Sequence, residues 1–317
     1  MIVKTIISPG KSNNVIVTIA IGDRYYQSWE KYAFPTWKKY CVRHELGLIV
    51  FDSDLIPKTD KSWKKPNWQK LLIGNILKDQ IFSLKNVCYL DTDILINPFA
   101  PNVFDSYDPD TIGLVSLRKN LPYPYENTLR RLAFLRNRYY DTSYPLDSAL
   151  FISVEKLYKF HDLPAQEDEA CSGFFIFNIQ SHFELLKSTF QKYDKNIKSI
   201  TGGGEQTHLN YEIQKNCKVS WMDYRFQAIW IFEMAWKYPF LYDYGRNNSK
   251  LVNECIEASL FTNYFLHFAG SWHESEMWKI GGILESNKIL NQFSEFSNYL
   301  KMPVTGNPKG QIKPKTS

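Results

Sequence analysis

The residues best equipped for chemistry stand together in Tyr89-Leu90-Asp91-Thr92-Asp93-Ile94-Leu95. Asp91 and Asp93 lie two positions apart at the end of an apolar run, so on an extended chain both carboxylates point to one side. Two ionised carboxylates beside apolar groups repel each other and lose hydration unless a cation neutralises them. A divalent metal with oxygen ligands does this, and its remaining positions accept the oxygens of a diphosphate. The competing possibility is a pair of solvated loop acids. In an open α/β sheet, however, ligands bind beyond the carboxyl ends of the strands, which is where this pair would lie.

The flanking pattern supplies that sheet. Residues 15–21 (VIVTIAI) form a β-branched run suited to a buried parallel strand, followed by a turn at Gly22-Asp23. A helix is predicted over 28–44, a strand over 46–51, a polar loop over 62–67 and a helical stretch over 68–84. A strand follows at 87–90, and the apolar run resumes at 94–96 after the two acids. Strand and helix in alternation predict a wound α/β sheet. Segment 118–169 is rich in Tyr, Pro and Arg, with a helix predicted over 126–140 carrying Arg130, Arg131, Arg136 and Arg138; it reads as an insertion over the sheet edge. Regular texture returns with a strand over 173–179, a helix over 183–193, a helix opened by Gly202-Gly203-Gly204, short strands at 219–222 and 265–268, and a helix over 289–300. The three glycines lack the lysine and spacing of a phosphate-binding P-loop. Phosphatases of the haloacid dehalogenase type also set two aspartates after a strand, but they open their domain with that strand; here two strands precede it.

Composition bounds the rest. The 317 residues are 44% hydrophobic, 22% charged and 16% aromatic, ordinary for a packed protein except for the aromatic share, which suits a site that stacks on bases or sugars. Five scattered cysteines, Cys41, Cys88, Cys171, Cys217 and Cys255, include no C-x-x-C and point to reduced thiols. No apolar run approaches the ~18–20 residues of a membrane span. The longest, 228–236, contains Glu233, and the apolar start is too short for a secretion signal, so a cytoplasmic location is expected. The net charge of +5 is too small to argue for nucleic acid, and part of it sits in the last 17 residues, which read as a disordered basic tail able to touch an acidic surface.

Five blocks in order resemble the family 8 nucleotide-sugar glycosyltransferases, a retaining group that includes glycogenin and bacterial galactosyl- and glucosyltransferases. They are Val17-Thr18-Ile19-Ala20 with Asp23 and Tyr25; Lys70-Leu71-Leu72 leading to 87–96; Cys171-Ser172-Gly173-Phe174 through Asn178; Glu205-Gln206 with Leu209-Asn210; and His267-Phe268-Ala269-Gly270. The resemblance implies a GT-A type fold over residues 1–280: an α/β domain with a mostly parallel central sheet, flanking helices and the 118–169 insertion as an acceptor-side lid. Residues 281–300 would be a helical extension and 301–317 the tail. It also implies transfer of a hexose or pentose from a nucleoside diphosphate sugar, UDP-linked above all, to a hydroxyl of a glycan, lipid-linked or protein acceptor. Asp91, Asp93 and His267 would ligate Mn²⁺ or Mg²⁺. Ile19, Ile21 and Tyr25 would hold the base, and Lys70, Thr92, Ser172, Gly173 and Gly270 would line the donor. Glu205 would bind sugar hydroxyls and Gln206 would lie beneath the anomeric carbon, with Asp93 counted among the catalytic groups through its metal.

Three positions depart from the family pattern. Cys171 replaces an Asn, Glu205 an Asp, and His273 the lysine that grips the diphosphate, a task His273 itself or Lys279, or else Lys64 or Lys65, would take over at the donor. These departures keep open a non-catalytic nucleotide- or glycan-binding protein of the same fold and, more weakly, a metal-dependent phosphatase.

Overall fold

The structure, a computed structural model, describes residues 3–79, 84–140, 148–194, 197, 204–270, 272–280 and 284. The expected helix over 289–300, the basic tail, and Gly202 and Gly203 lie outside the described residues.

Ten strands are described: β1 (Val3–Ile7), β2 (Val15–Ile19), β3 (Gly47–Phe51), β4 (Asn86–Leu90), β5 (Ile94–Ile96), β6 (Ile112–Leu114), β7 (Phe174–Asn178), β8 (Val219–Trp221), β9 (Ala228–Ile229) and β10 (Phe265–His267). Seven form one sheet in the order β1-β3-β2-β4-β7-β6-β8, and β5, β10 and β9 form a second. Every residue of β2 and β3 is buried, as their continuous apolar sequences require of strands covered on both faces. Alternate residues serve opposite faces: Ile16, Leu48, Val50, Cys88 and Leu90 join the larger core, while Val15, Val17, Ile49, Val87 and Tyr89 join the smaller.

The sheet is more mixed than the sequence predicts. The pairs β3–β2, β2–β4 and β6–β8 are parallel, but β1–β3, β4–β7 and β7–β6 are antiparallel. Segment 94–96 does not continue β4. The chain turns through Asp91-Thr92-Asp93 and enters the second sheet, where β5 runs antiparallel to β10 with Ile94 opposite His267. That register carries the histidine to the acid pair.

The helix predicted over 28–44 starts earlier, at Asp23, and is three consecutive helical segments of differing pitch: an α-helix Asp23–Ser28, a π-helical segment Trp29–Ala33 and an α-helix Phe34–Arg43. The last of these pins the second sheet. Trp37 donates its indole N–H to the Ile94 carbonyl at 2.7 Å, and the Thr36 hydroxyl accepts from the Ile96 N–H at 3.2 Å. Segment 118–169 contains the predicted helix, at Tyr125–Tyr139. Its arginines are partly committed inside the protein: Arg136 is buried against Glu274, and Arg131 donates to the Ala235 carbonyl, while Arg130 is exposed. No helix among the described residues is long and apolar enough to cross a membrane.

Candidate functional site

Asp91 leaves the end of β4 on the same side as Tyr89, whose hydroxyl donates to Asp91 Oδ1 at 2.7 Å. The Asp91 N–H donates to the Gly173 carbonyl at 2.8 Å, and the Phe268 N–H to the Asp93 carbonyl at 3.0 Å, so the turn between the sheets is clamped from both sides. His267, at the end of β10, brings Nε2 to 3.3 Å from Asp93 Oδ1 and 4.0 Å from Asp91 Oδ2. One ligand atom from each of Asp91, Asp93 and His267 lies within 4.8 Å of the others, a spacing a single ion can bridge. Asp93 Oδ1 is buried with no hydrogen-bond partner. An acceptor so placed fits a cation, and the mixed carboxylate and imidazole donors suit Mn²⁺.

The three groups perturb one another. Burial, the largest influence, holds the Asp91 carboxyl above the usual carboxylate range despite the pull of Lys70. Burial also works to raise Asp93, but the charge of His267, 3.3 Å away, outweighs it and holds that carboxyl low. His267 is pushed well up: burial opposes its charged form, but Cys171 and Asp93 more than compensate. The other imidazole nitrogen, Nδ1, faces Gln227 Nε2 at 3.2 Å and the Cys171 thiol at 3.8 Å, and Gln227 also donates to the Cys171 carbonyl. These contacts fix the ring plane, as partners behind a ligating histidine commonly do.

Gly173 is required by contact. A Cβ there would stand 2.4 Å from His267 Cε1 and 2.7 Å from Asp91 Oδ2. Beside it, Lys70 is 1% exposed, its ammonium bound to Glu205 Oε1 at 2.8 Å and to the carbonyl and hydroxyl of Ser172. Burial favours the neutral amine, but the pull of Glu205 and Asp91 wins and raises its pKa. The lysine is therefore an internal counter-ion rather than a solvent-facing one. The Ser172 hydroxyl donates to Glu205 Oε1 at 2.6 Å, and Glu205 Oε2 is buried with no partner. Gln206 opens the helix Gln206–Asn216. It accepts from the Ser172 N–H at 3.3 Å and donates to Glu169 Oε1 at 2.8 Å.

A cleft of about 460 Å³ opens onto the acid pair, lined by Ile19, Ile21, Tyr25, Lys65, Pro66, Asn67, Tyr89, Asp91, Thr92 and Asp93. Tyr25 is 62% exposed, so a ring face is available for stacking. The residues predicted from sequence thus divide into this wall and the cluster formed by Lys70, Ser172, Gly173, Glu205, Gln206 and His267. Gly270, three residues beyond His267, takes a φ of 106°, which a side chain would strain. His273 does not line the cleft. It is exposed and packs its ring 5.4 Å from Tyr140, at the end of helix Tyr125–Tyr139. Lys279 lies close enough to lower the Asp93 pKa and is bound to Glu276.

Sequence reasoning missed Tyr89, Asn67, Gln227 and Glu169. Tyr89 was discoverable, since the residue two before Asp91 shares its face. Gln227 and Glu169 meet His267 and Gln206 across 40 and 37 residues, with no local pattern to announce them.

No protein-family model and no curated protein matches the chain. Among solved structures it is similar to a glycosyltransferase involved in glycosylation of the major capsid of PBCV-1, with a TM-score of 0.47 and 10% identity over 84% of this chain and 98% of that one. The apo form of the bifunctional glycosyltransferase WbbM gives a TM-score of 0.46 at 11% identity over 88% of this chain, which spans 51% of that protein's length. The galactosyltransferase LgtC, solved with donor and acceptor sugar analogs, gives a TM-score of 0.46 at 14% identity over 92% of this chain and 97% of that one.

Proposed function

We propose that the chain is a metal-dependent retaining glycosyltransferase that moves a sugar from a nucleoside diphosphate sugar, UDP-linked above all, to a hydroxyl acceptor. The observation that carries this reading is the meeting of Asp91, Asp93 and His267 at the edge of a cleft whose other wall is Ile19, Ile21 and exposed Tyr25. A base stacked on Tyr25 and a pyrophosphate at the acids fit one elongated ligand. Asp91, Asp93 and His267 would hold Mn²⁺ or Mg²⁺, which when bound supplies Lewis-acid neutralisation of a diphosphate leaving group.

This chain's own residues account for the remaining work. Gly173, having no side chain, lets His267 and Asp91 pack directly against the backbone beside Ser172. The unpartnered Glu205 Oε2, held by Lys70 and Ser172, is a ready acceptor for a sugar hydroxyl. Gln206, an uncharged amide, lends electron density to an oxocarbenium-like anomeric carbon without becoming a strong nucleophile. Lys65 on the cleft wall and Lys279 near Asp93 are the cations best placed for phosphate charge; His273, turned to Tyr140, is not.

Hydrolysis of a panel of radiolabelled nucleotide sugars, with and without Mn²⁺, tests the proposal. Metal-dependent release of sugar that is lost in Asp93→Asn is the expected result. Binding of nucleotide with no turnover across donors and acceptors would instead support a non-catalytic binding protein, and release of inorganic phosphate without free sugar would indicate a phosphatase.

A further inference from the structure

An uncharged amide is a weak electron donor, and the surroundings of Gln206 bear on how this one is set. Its Nε2 donates to Glu169 Oε1 at 2.8 Å and its Oε1 accepts from the Ser172 N–H at 3.3 Å. Asn210 ties the two segments together, donating to the carbonyls of Ala170 and Gln206 and accepting from the Ala170 N–H. Glu169 is 1% exposed, and its other oxygen lies 3.4 Å from Arg118.

An ionised carboxylate can only accept, so Glu169 dictates which end of the amide it meets. The NH₂ turns to Glu169 and the carbonyl oxygen turns to Ser172, beside Gly173 and the Asp91–His267 corner. A charged acceptor on an amide N–H also favours the dipolar resonance form, which places more negative charge on the amide oxygen. Arg118, on the far oxygen, helps keep Glu169 ionised against the burial that raises its pKa.

We infer that Glu169 is a positioning residue that orients and polarises Gln206, so that the amide oxygen faces the anomeric carbon with enhanced electron density. The inference rests on the glycosyl-transfer reading. In that reaction the bond from the anomeric carbon to the diphosphate oxygen breaks, and its electron pair leaves with the nucleoside diphosphate. The acceptor oxygen forms the new bond, and its proton passes to the departing phosphate oxygen or to water. Gln206 forms no bond, and Glu169 exchanges no proton.

Four proteins test this: wild type, Glu169→Gln, Gln206→Ala and the double variant. With a nucleotide sugar and Mn²⁺, E169Q should lower kcat roughly 10- to 100-fold, less than loss of a group that touches the transition state directly, and leave donor KM within about threefold. In the Gln206→Ala background the same substitution should have no further effect. In parallel, ¹⁵N–¹H spectra identify the Gln206 amide pair by its loss in Q206A, and that pair should shift in E169Q. Glu169→Asp, charged but one methylene shorter, should give an intermediate kcat and serves if the amide variant does not fold. An unchanged kcat in E169Q, a full effect persisting without Gln206, or an unmoved amide pair would overturn the inference. If no nucleotide sugar turns over in wild type but the amide pair shifts in E169Q, the transfer reading fails while the control of Gln206 by Glu169 stands.

Discussion

At Gly173 the site leaves no room for a side chain. Backbone freedom is not the reason, since this glycine, in the turn just before β7, has no positive φ; the constraint is a notional Cβ 2.4 Å from His267 Cε1 and 2.7 Å from Asp91 Oδ2. The imidazole cannot retreat, because Gln227 and Cys171 back it from the other side. Gly173→Ala is therefore expected to rotate His267 or displace Asp91. Overpacking of this kind costs about 1–3 kcal/mol of stability. The larger effect should fall on the ion: Mn²⁺ affinity measured by calorimetry should drop roughly 10- to 100-fold, as when a ligand loses its supporting geometry. Unchanged affinity in a folded G173A protein would mean that the three ligand groups do not bind the ion together.

Among the elements, the second sheet decides whether Asp91, Asp93 and His267 meet. β5 is three residues long and its pairing with β10 supplies the Ile94–His267 register, so its placement depends on outside support. Trp37 and Thr36 give that support from a helix rooted in the first sheet. Trp37→Phe keeps most of the buried area but removes the donor to the Ile94 carbonyl. Urea unfolding should register a loss of about 1–3 kcal/mol, the cost of an orphaned buried acceptor, and Mn²⁺ affinity should fall with it. Helix Tyr125–Tyr139 is fixed by a different device. Arg136 on helix Tyr125–Tyr139 meets Glu274 at 3.1 Å, both side chains being at most 1% exposed, with Trp272 3.9 Å from the guanidinium. Removing either partner strands a buried charge, so R136M and E274L should each cost about 3–5 kcal/mol, whereas the double variant should be distinctly more stable than either single one.

This scale also explains what was legible beforehand. β2, β3 and β4 could be read because a strand buried on both faces is apolar throughout. β1 escaped notice because it is a half-exposed edge strand whose five residues carry no continuous pattern. β5 was merged with β4 because both are apolar, and only the pairing with β10, some 170 positions on, separates them. The acid pair and His267 were legible by type and order. The internal role of Lys70 was not, since its helical position gives no sign of a carboxylate partner 135 residues away.

Taken whole, the molecule buries titratable groups beside each of its two cores, and these couple its stability to pH. His208, on the helix that begins with Gln206, is 1% exposed and has its Nδ1 3.1 Å from the Gly204 carbonyl. The rings of Tyr193 and His161 stand 4.5 and 5.1 Å away. Burial pushes its pKa down to about 4, aided by His161 and opposed by Gly204, Glu205 and Glu212. In the unfolded chain the same ring titrates near 6.5, so between these values the unfolded state binds the proton and the folded state does not. The contribution of His208 is therefore complete above about pH 6.5 and falls away as the pH drops towards 4, by about 2 kcal/mol between pH 7 and 5. Asp91, Glu169 and Glu257 work in the opposite sense, because their pKa values are raised on folding and they gain protons first in the native state. The raw pH curve mixes the two, so the informative quantity is the difference between wild type and His208→Gln, both measured by urea unfolding without metal. The variant should lose about 2 kcal/mol less than wild type between pH 7 and 5. If the two lose the same amount, the ring protonates in the folded protein at its ordinary pKa, and the helix that presents Gln206 opens to water far more readily than its burial implies.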